Sequence, residues 1–205
     1  MPKMTFFNLP DHKRKKLIDA AEKEFARVAL FEASIANIVK TAGIPRGSFY
    51  QYFQDKEDLY FYLLDKKLDE SKRYFVSILD HHNGDIFEAM VDMYHKFLVM
   101  MPDEEEHNFI KNALLYATNK VENSFTSIFD STYDNNHYYK VIESINREKL
   151  KVKEDEDLLS ILQVMSAVAF HNIIVKLSNK LSDDEATEQF KVQMELLKHG
   201  VYQET

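Results

Sequence analysis

The sequence has no cysteine, and only four glycines and four prolines occur among its 205 residues. The absence of cysteine excludes disulfide bonds and catalytic thiolates, and it fits a protein of the reducing cytoplasm. Because residues that break helices are scarce and 45% of the chain is hydrophobic, the composition favours an all-α protein with a substantial core. Residues 1–10 contain no apolar run long enough for a signal peptide, so we expect a cytoplasmic location.

The sequence motifs of several enzyme classes are missing as well. The chain contains no G-x-S-x-G, no phosphate-binding loop and no H-E-x-x-H. It therefore lacks the usual motifs of serine hydrolases, of enzymes that bind nucleotide phosphates and of zinc proteases. Its eight histidines are scattered, and the run around His81 and His82 is better explained as an exposed polar turn than as a metal site. We therefore expect neither an enzyme nor a bound metal or cofactor.

Positive charge is concentrated at one end of the chain. The net charge is −8, yet residues 1–56 carry ten Lys or Arg and six Asp or Glu, so this part is +4 and the remainder −12. A small basic region on an acidic protein is expected when only one end meets DNA. A solvated basic surface is the alternative explanation for the cluster at residues 12–16.

Residues 158–177 are apolar over a length that could span a bilayer. The stretch also contains polar side chains that are costly in hydrocarbon, among them Gln163, His171 and Lys176. We therefore expect a helix buried on both sides rather than a membrane span.

Apolar residues at helical spacing predict helices over most of the chain. The predicted ranges are 10–28, 34–42, a short helix after Pro45, 55–79, 85–101, 106–119, 156–179 and 185–199, with Ser34, Asp55 and either Ser182 or Asp183 as N-caps. Residues 121–150 are harder to interpret, with a loop expected at 131–137 and a helix on either side. The total is about nine helices.

The most informative segment is 42–53, which uses two of the four glycines and one of the four prolines. Gly43 can take the left-handed conformation that ends a helix, and Pro45 suits the entry to the next one. In that next helix, Phe49 and Phe53 fall on one face and are expected to anchor it in the core.

The opposite face of this short helix is poorly suited to packing. It carries Gly47, Ser48 and Gln51, with Tyr50 and Tyr52 on its two flanks. Such a face fits a DNA major groove, where Gln can pair with a base edge and Tyr hydroxyls can reach phosphates. Simple packing of the tyrosines is the alternative, since helix-turn-helix shapes also occur in proteins that bind no DNA.

Residues 10–60 resemble the DNA-binding domain of the tetracycline-repressor (TetR) family. The matching positions are Ile18-Asp19-Ala20-Ala21, Phe25, Ser34-Ile35, Ile38, Ala42-Gly43-Ile44, Gly47, Phe49-Tyr50, Tyr52-Phe53, Lys56 and Leu59. The match covers about a quarter of the chain. It differs from the family pattern at Ala29, Ala33 and Pro45, where Gly, Thr and Ser are frequent, and the missing Thr hydroxyl would remove one phosphate contact.

The resemblance implies a helix-turn-helix DNA-binding domain at residues 1–55 and a helical effector-binding and dimerisation domain at 56–205. It also implies a role for each matching side chain. Ser34 and Lys56 would contact phosphates, while Tyr50 and Tyr52 would hold the DNA backbone. Arg46, Ser48 and Gln51 would approach the bases.

The resemblance further implies a homodimer on a palindromic operator, released by a small molecule. The last two helices are the candidate dimer interface, and the second of them offers Phe190, Met194, Leu197 and Val201 along one stripe. An apolar effector pocket could involve Phe97, Phe109, Tyr116, Phe125 and His171, or Asn172 in place of the histidine, although such aromatic stripes are more often plain core. A repressor is the first expectation, with an activator left open, and a helical protein-interaction adaptor that binds no DNA is the rival.

Overall fold

The computed structural model describes residues 1–100, 109–116, 118–126, 129, 135–148, 150–152 and 154–200. These residues form eleven α-helices and contain no β-strand, which confirms the all-α class. The helices are α1 (Met4–Phe7), α2 (Asp11–Arg27), α3 (Ile35–Ala42), α4 (Arg46–Tyr52), α5 (Lys56–His81), α6 (Ile86–Val99), α7 (Phe109–Leu115), α8 (Asn119–Thr126), α9 (Asn135–Ser144), α10 (Asp155–Asn179) and α11 (Asp183–His199). The predicted number of about nine helices is too low, chiefly because α1, with four residues, has too few positions for a periodic pattern.

The predicted N-caps are confirmed at the starts of α5 and α11. The N–H of Asp58 donates to Asp55 Oδ1 at 2.8 Å, and Asp58 Oδ2 accepts from the N–H of Gln54 at 3.2 Å. At α11, Ser182 and Glu185 form a reciprocal capping box. The open choice between Ser182 and Asp183 is therefore settled for Ser182.

The chain divides into two compact units. The first is Met1–Lys67 with residues 103–117, and the second is Leu68–Pro102 with residues 118–205. In the first unit, helices α1 to α4 surround a core of fully buried side chains, which includes Phe6, Leu17, Phe25, Ile38, Phe49, Phe53 and Leu59.

The second unit packs α6 and α10 against α11. The ring of Tyr94 on α6 stacks on Phe190 of α11, with 4.2 Å between their centroids. A close backbone approach joins the turn after α5 to the end of α9, because the N–H of Asn146 donates to Gly84 O at 2.9 Å. A Cβ at residue 84 would lie 2.4 Å from Asn146 N, and the φ of +77° also requires glycine there.

Helix α10 is long and apolar enough to cross a membrane by length and composition, a test that core helices of soluble proteins also pass. Two of its buried polar side chains are paired within the second unit. Asn172 donates to Gln193 Oε1 at 2.7 Å, and the buried ammonium of Lys176 lies 3.0 Å from Asp183 Oδ1. One side of this helix is therefore buried in its own unit, and the other carries exposed residues such as Val164.

The junction of α2 and α3 is organised by a buried carboxylate. Glu24 is only 6% exposed and accepts two hydrogen bonds from Arg27, at 2.9 and 3.1 Å. It also accepts the backbone N–H of Ser34 at 2.9 Å and the side-chain amide of Asn37 at 3.1 Å. These bonds tie the end of α2 to the start of α3, 10 residues further along the chain.

This arrangement corrects the prediction that Ser34 caps α3 with its side chain. Ser34 does occupy the N-cap position, but its hydroxyl makes no capping hydrogen bond. The buried Glu24 carboxylate takes up a donor at this helix start instead, and a negative charge is favourable at the positive end of a helix.

The Glu24 carboxylate is held in its charged form. Burial acts to raise the pKa of Glu24, but the hydrogen bonds to its carboxylate outweigh burial and hold this pKa below its ordinary value. The folded state is therefore stabilised by the ionised carboxylate at every pH above the ordinary glutamate value of about 4.3. That contribution is lost as the pH falls through the lower pKa of the folded protein.

We predict that Glu24→Gln lowers the free energy of unfolding by about 1–2 kcal/mol at pH 7, because the amide cannot accept all four hydrogen bonds. The difference from the wild type should begin to shrink as the pH falls below about 4.3, where Glu24 of the unfolded chain binds a proton, and should disappear as the pH passes through the lower pKa of the folded protein. Urea unfolding between pH 7 and pH 3 measures both quantities. Glu32→Gln, at an exposed glutamate nearby, is the control, and equal losses in both variants would contradict the role given to Glu24.

Candidate nucleic-acid interface

A glycine turn sets the angle between α3 and α4. Gly43 ends α3 in the left-handed conformation, with φ 68° and ψ 35°. Its N–H donates to Lys40 O, and the N–H of Ile44 donates to Val39 O at 3.0 Å, so carbonyls at the end of α3 are satisfied locally. Pro45 then holds an extended conformation with φ −61°, and α4 begins at the next residue.

One face of α4 is anchored in the first unit. Phe49 and Phe53 are 0% exposed, and their ring centroids lie 5.8 Å apart. Phe53 also packs on Phe6 of α1 at 4.9 Å. The helical spacing predicts both phenylalanine anchors, whereas Phe6 lies in a helix too short to be predicted.

The other face of α4 is open. Gly47 and Gln51 are exposed, Tyr50 is 43% exposed, and Ser48 and Tyr52 are half-buried, in line with the face and flanks that the helical spacing predicts. Arg46 is also exposed, although the helical spacing puts it nearer the buried side. A Cβ at Gly47 would meet no atom within 4 Å. The face therefore offers a guanidinium, an amide and hydroxyl groups to solvent, which are groups that pair with base edges and phosphates.

Lys56 holds the loop between α2 and α3. Its ammonium donates to Phe31 O at 2.7 Å and to Ala33 O at 2.9 Å. An ammonium has three N–H donors, so these two carbonyls leave one donor for a further partner. Lys56 is thus tied to the same loop that leads to Ser34.

The basic cluster on α2 is largely exposed. Lys13, Lys15 and Lys16 reach solvent, whereas Arg14 donates to Asp11 Oδ1 at 2.6 Å and to Phe7 O at 3.1 Å. The lysines add positive potential to the unit that carries α4.

A largely apolar cavity of about 80 Å³ lies within the second unit. Two of the predicted effector residues line it, Phe97 and Phe125, whose ring centroids are 6.3 Å apart. Other lining residues complete an aromatic wall, and they include Phe75, Tyr94, Phe129 and Phe170. The Tyr94 hydroxyl is buried and has no hydrogen-bond partner among the described residues, and burial, together with the charge of Asp183, raises the pKa of this phenol.

Three of the predicted effector residues lie outside this cavity. Phe109 belongs to the first unit and packs on Phe25 and Tyr60, with centroid distances of 6.0 and 5.1 Å. Tyr116 is 55% exposed, and His171 is exposed on α10. Periodicity within a helix identifies these aromatic residues but does not say into which core each one packs.

Among the described residues, no group of three or more His, Cys, Asp or Glu side chains could hold a metal ion. The His82 ring instead lies 3.0 Å from Asp92 Oδ2, which also accepts from Lys96 at 3.0 Å. The pKa of Asp92 is lowered by these two partners, against the opposing effect of burial.

Comparison with known proteins identifies both units. Residues 17–63 match the model of bacterial regulatory proteins of the tetR family, and residues 85–201 match the tetracyclin repressor-like C-terminal domain. An HTH-type transcriptional regulator of Staphylococcus aureus strain USA300 is 24% identical over 159 residues, which cover 77% of this chain and 80% of that protein.

Solved structures show the same fold. The fatty acid degradation regulator FadR from Bacillus halodurans matches with a TM-score of 0.63 at 19% identity, covering 96% of this chain and 99% of FadR. A tetR-family transcriptional regulator from Streptomyces coelicolor also has a TM-score of 0.63, at 18% identity, covering 92% of this chain and 81% of that one. The second family model alone spans more than half of the sequence, and the helix-turn-helix geometry agrees with the first. The chain therefore belongs to the tetracycline-repressor (TetR) family of DNA-binding transcriptional regulators.

Proposed function

We propose that this protein is a cytoplasmic, ligand-responsive repressor, which binds a palindromic operator as a homodimer and leaves it when a small apolar or aromatic effector binds. The observation that carries the proposal is the division of α4 into a fully buried and an open face. In this proposal residues 1–55 bind DNA, and residues 56–205 bind the effector and form the dimer.

The open face of α4 is proposed to read the major groove. Arg46, Ser48 and Gln51 reach base edges, and Gly47 allows close approach because it has no side chain. Phosphate contacts come from the groups around this face, namely Ser34, Tyr50, Tyr52 and the remaining donor of Lys56. One such helix reads few bases, so specificity requires two copies about one helical turn apart.

We predict that Gln51→Ala relaxes preference at one base position of the operator, at a cost of ~1–3 kcal/mol, because a bidentate contact to a base is lost. Binding titrations with operator duplexes carrying each base in turn measure the effect. Gln54→Ala, at an exposed glutamine just after α4, is the matched control. If both Gln51→Ala and Tyr50→Ala left operator affinity unchanged, α4 would not be the reading helix.

The dimer is proposed to form through α10 and α11. In α11, Phe190 and Met194 are buried in the core of their own unit, so the predicted stripe that included them cannot all face a partner. Val201, the fourth member of that stripe, lies outside the described residues. Leu197 of the predicted stripe is exposed, and Val192 and Leu196 on α11 and Val164 on α10 are exposed as well.

We predict that Leu196→Glu weakens dimerisation roughly 100-fold, about 3 kcal/mol, because it places an unpaired charge in an apolar interface. Sedimentation equilibrium measures the dissociation constant. The control is Leu115→Glu, which changes a leucine of similar exposure in the first unit. This variant should leave the dissociation constant of the dimer unchanged. A wild-type monomer at micromolar concentration would refute the dimer altogether.

The cavity behind Phe97 and Phe125 is the proposed effector site. Its lining is mostly apolar, and the hydroxyl of Ser166 is already used by Leu162 O at 2.8 Å. An uncharged, mostly apolar effector fits this lining, since none of the described lining residues is charged and could pair with a buried charge. If effector binding weakens operator binding, linkage requires the operator to weaken effector binding by the same factor, typically ~5–150-fold.

We predict that the cavity binds xenon, because apolar cavities of molecular size stay dry and take up apolar atoms. Xenon chemical shifts measured against protein concentration should reveal this site. Ala169→Leu fills the cavity from α10 and should remove the effect, whereas Ala167→Leu, at an exposed position of the same helix, should preserve it. An identical xenon response in both variants would place the uptake elsewhere.

A further inference from the structure

The C-terminal end of α4 is capped by a distant part of the chain. The last four carbonyls of any α-helix have no partner within the helix. In α4 the first of these, Phe49 O, accepts the N–H of Phe53 at 2.9 Å as the chain leaves the helix. The other three would be left to solvent if nothing else bound them.

Residues near the N-terminus bind all three of these carbonyls. The backbone N–H of Lys3 donates to Tyr52 O at 2.8 Å, and its ammonium donates to Tyr50 O at 2.8 Å. The hydroxyl of Thr5 donates to Gln51 O. A positive charge at this position also suits the negative end of the helix dipole.

An aromatic contact holds this segment in place. Phe6 is fully buried, and its ring packs on Phe53 at 4.9 Å and on Tyr62 of α5 at 5.3 Å. Helix α1 is therefore fastened to the core beside the end of α4. Phe6 follows Thr5 directly and lies three residues after Lys3, so its burial keeps both donor residues close to the end of α4.

We propose that residues 3–6, here called the N-terminal clamp, position the reading helix for DNA. The three carbonyls they bind belong to Tyr50, Gln51 and Tyr52, whose side chains are the proposed DNA contacts, so the clamp fixes the backbone from which those side chains project. The clamp residues need not touch DNA to do this. The inference rests on the proposed reading role of α4 and adds to it a second, distant determinant of specificity.

Thr5→Val is the most direct test, because it removes one donor without changing side-chain shape or charge. We expect operator binding to weaken ~5-fold, in line with the loss of one hydrogen bond, and to weaken more than affinity for unrelated duplex DNA, because the carbonyl that loses its donor belongs to the proposed base contact Gln51. The thermal midpoint should fall by no more than about 2–4 °C. Thr41→Val, at an exposed threonine of α3, is the matched control. Unchanged operator affinity in Thr5→Val would overturn the inference.

Hydrogen exchange of the DNA-free protein gives a readout that does not depend on DNA binding. Thr5→Val should speed the exchange of amides in the last turn of α4 ~5-fold and leave those of α3 unchanged. If exchange in α4 did not change, the clamp would not hold the helix and the inference would fail, even with the proposed function intact. If the wild type selected no duplex at all, the proposed function would fail, and the positioning role with it.

Lys3→Met separates positioning from a direct phosphate contact. If the ammonium acts only on Tyr50 O, operator affinity should fall ~5-fold while the slope of log affinity against log salt keeps its wild-type value. A phosphate contact by Lys3 would instead reduce that slope by about 0.9, and such a reduction would overturn the positioning role of this side chain. Lys66→Met, at an exposed lysine of α5, controls for the lost charge.

Discussion

The seven residues of α4 are too few to form a stable helix in water on their own, since helices shorter than ~12 residues are marginal even with favourable sequences. Stability must come from tertiary contacts, and these are confined to one face and the two ends. Phe49 and Phe53 bury one face, Pro45 sets the entry, and Gly43 sets the angle from α3. Within the described part of the chain no side chain buries Gln51 or Arg46 on the remaining face, so their polar groups are available for the proposed DNA contacts. A longer, self-sufficient helix would not need this surrounding structure.

The buried carboxylate of Glu24 fixes the junction of α2 and α3, which precedes α4 in the chain, through tertiary contacts of the same kind. A charge with 6% exposure is tolerated only when it is fully hydrogen-bonded, and its partners span the end of α2, the loop and the first turn of α3. Lys56 ties the same loop to the start of α5 through two carbonyls. The first unit thus fixes its short elements with charged groups that bind backbone, in addition to its aromatic core.

Most of the fold and about half of the candidate site could be predicted from the sequence. Helices α2, α3, α5 and α10 follow from apolar spacing and from chain-breaking residues at their ends, and the two faces of α4 follow from the 3.6-residue period. The rest depends on residues far apart in sequence. The Glu24 cap acts across 10 residues and the Thr5 bond across 46, and Phe109 packs in the first unit although its neighbours in sequence suggested the effector cavity. Periodicity predicts which face of a helix is buried, but it does not identify the helices against which that face packs.

Selection of binding sites from a library of random duplexes tests the central claim most directly, because it assumes no operator. The protein is incubated with the library at low salt, bound duplexes are recovered and sequenced, and the cycle is repeated. The proposed dimer with two reading helices predicts enrichment of an inverted repeat whose half-sites lie about one helical turn apart. Recovery of no duplex above background at low salt would contradict it and would favour a helical protein-interaction adaptor instead.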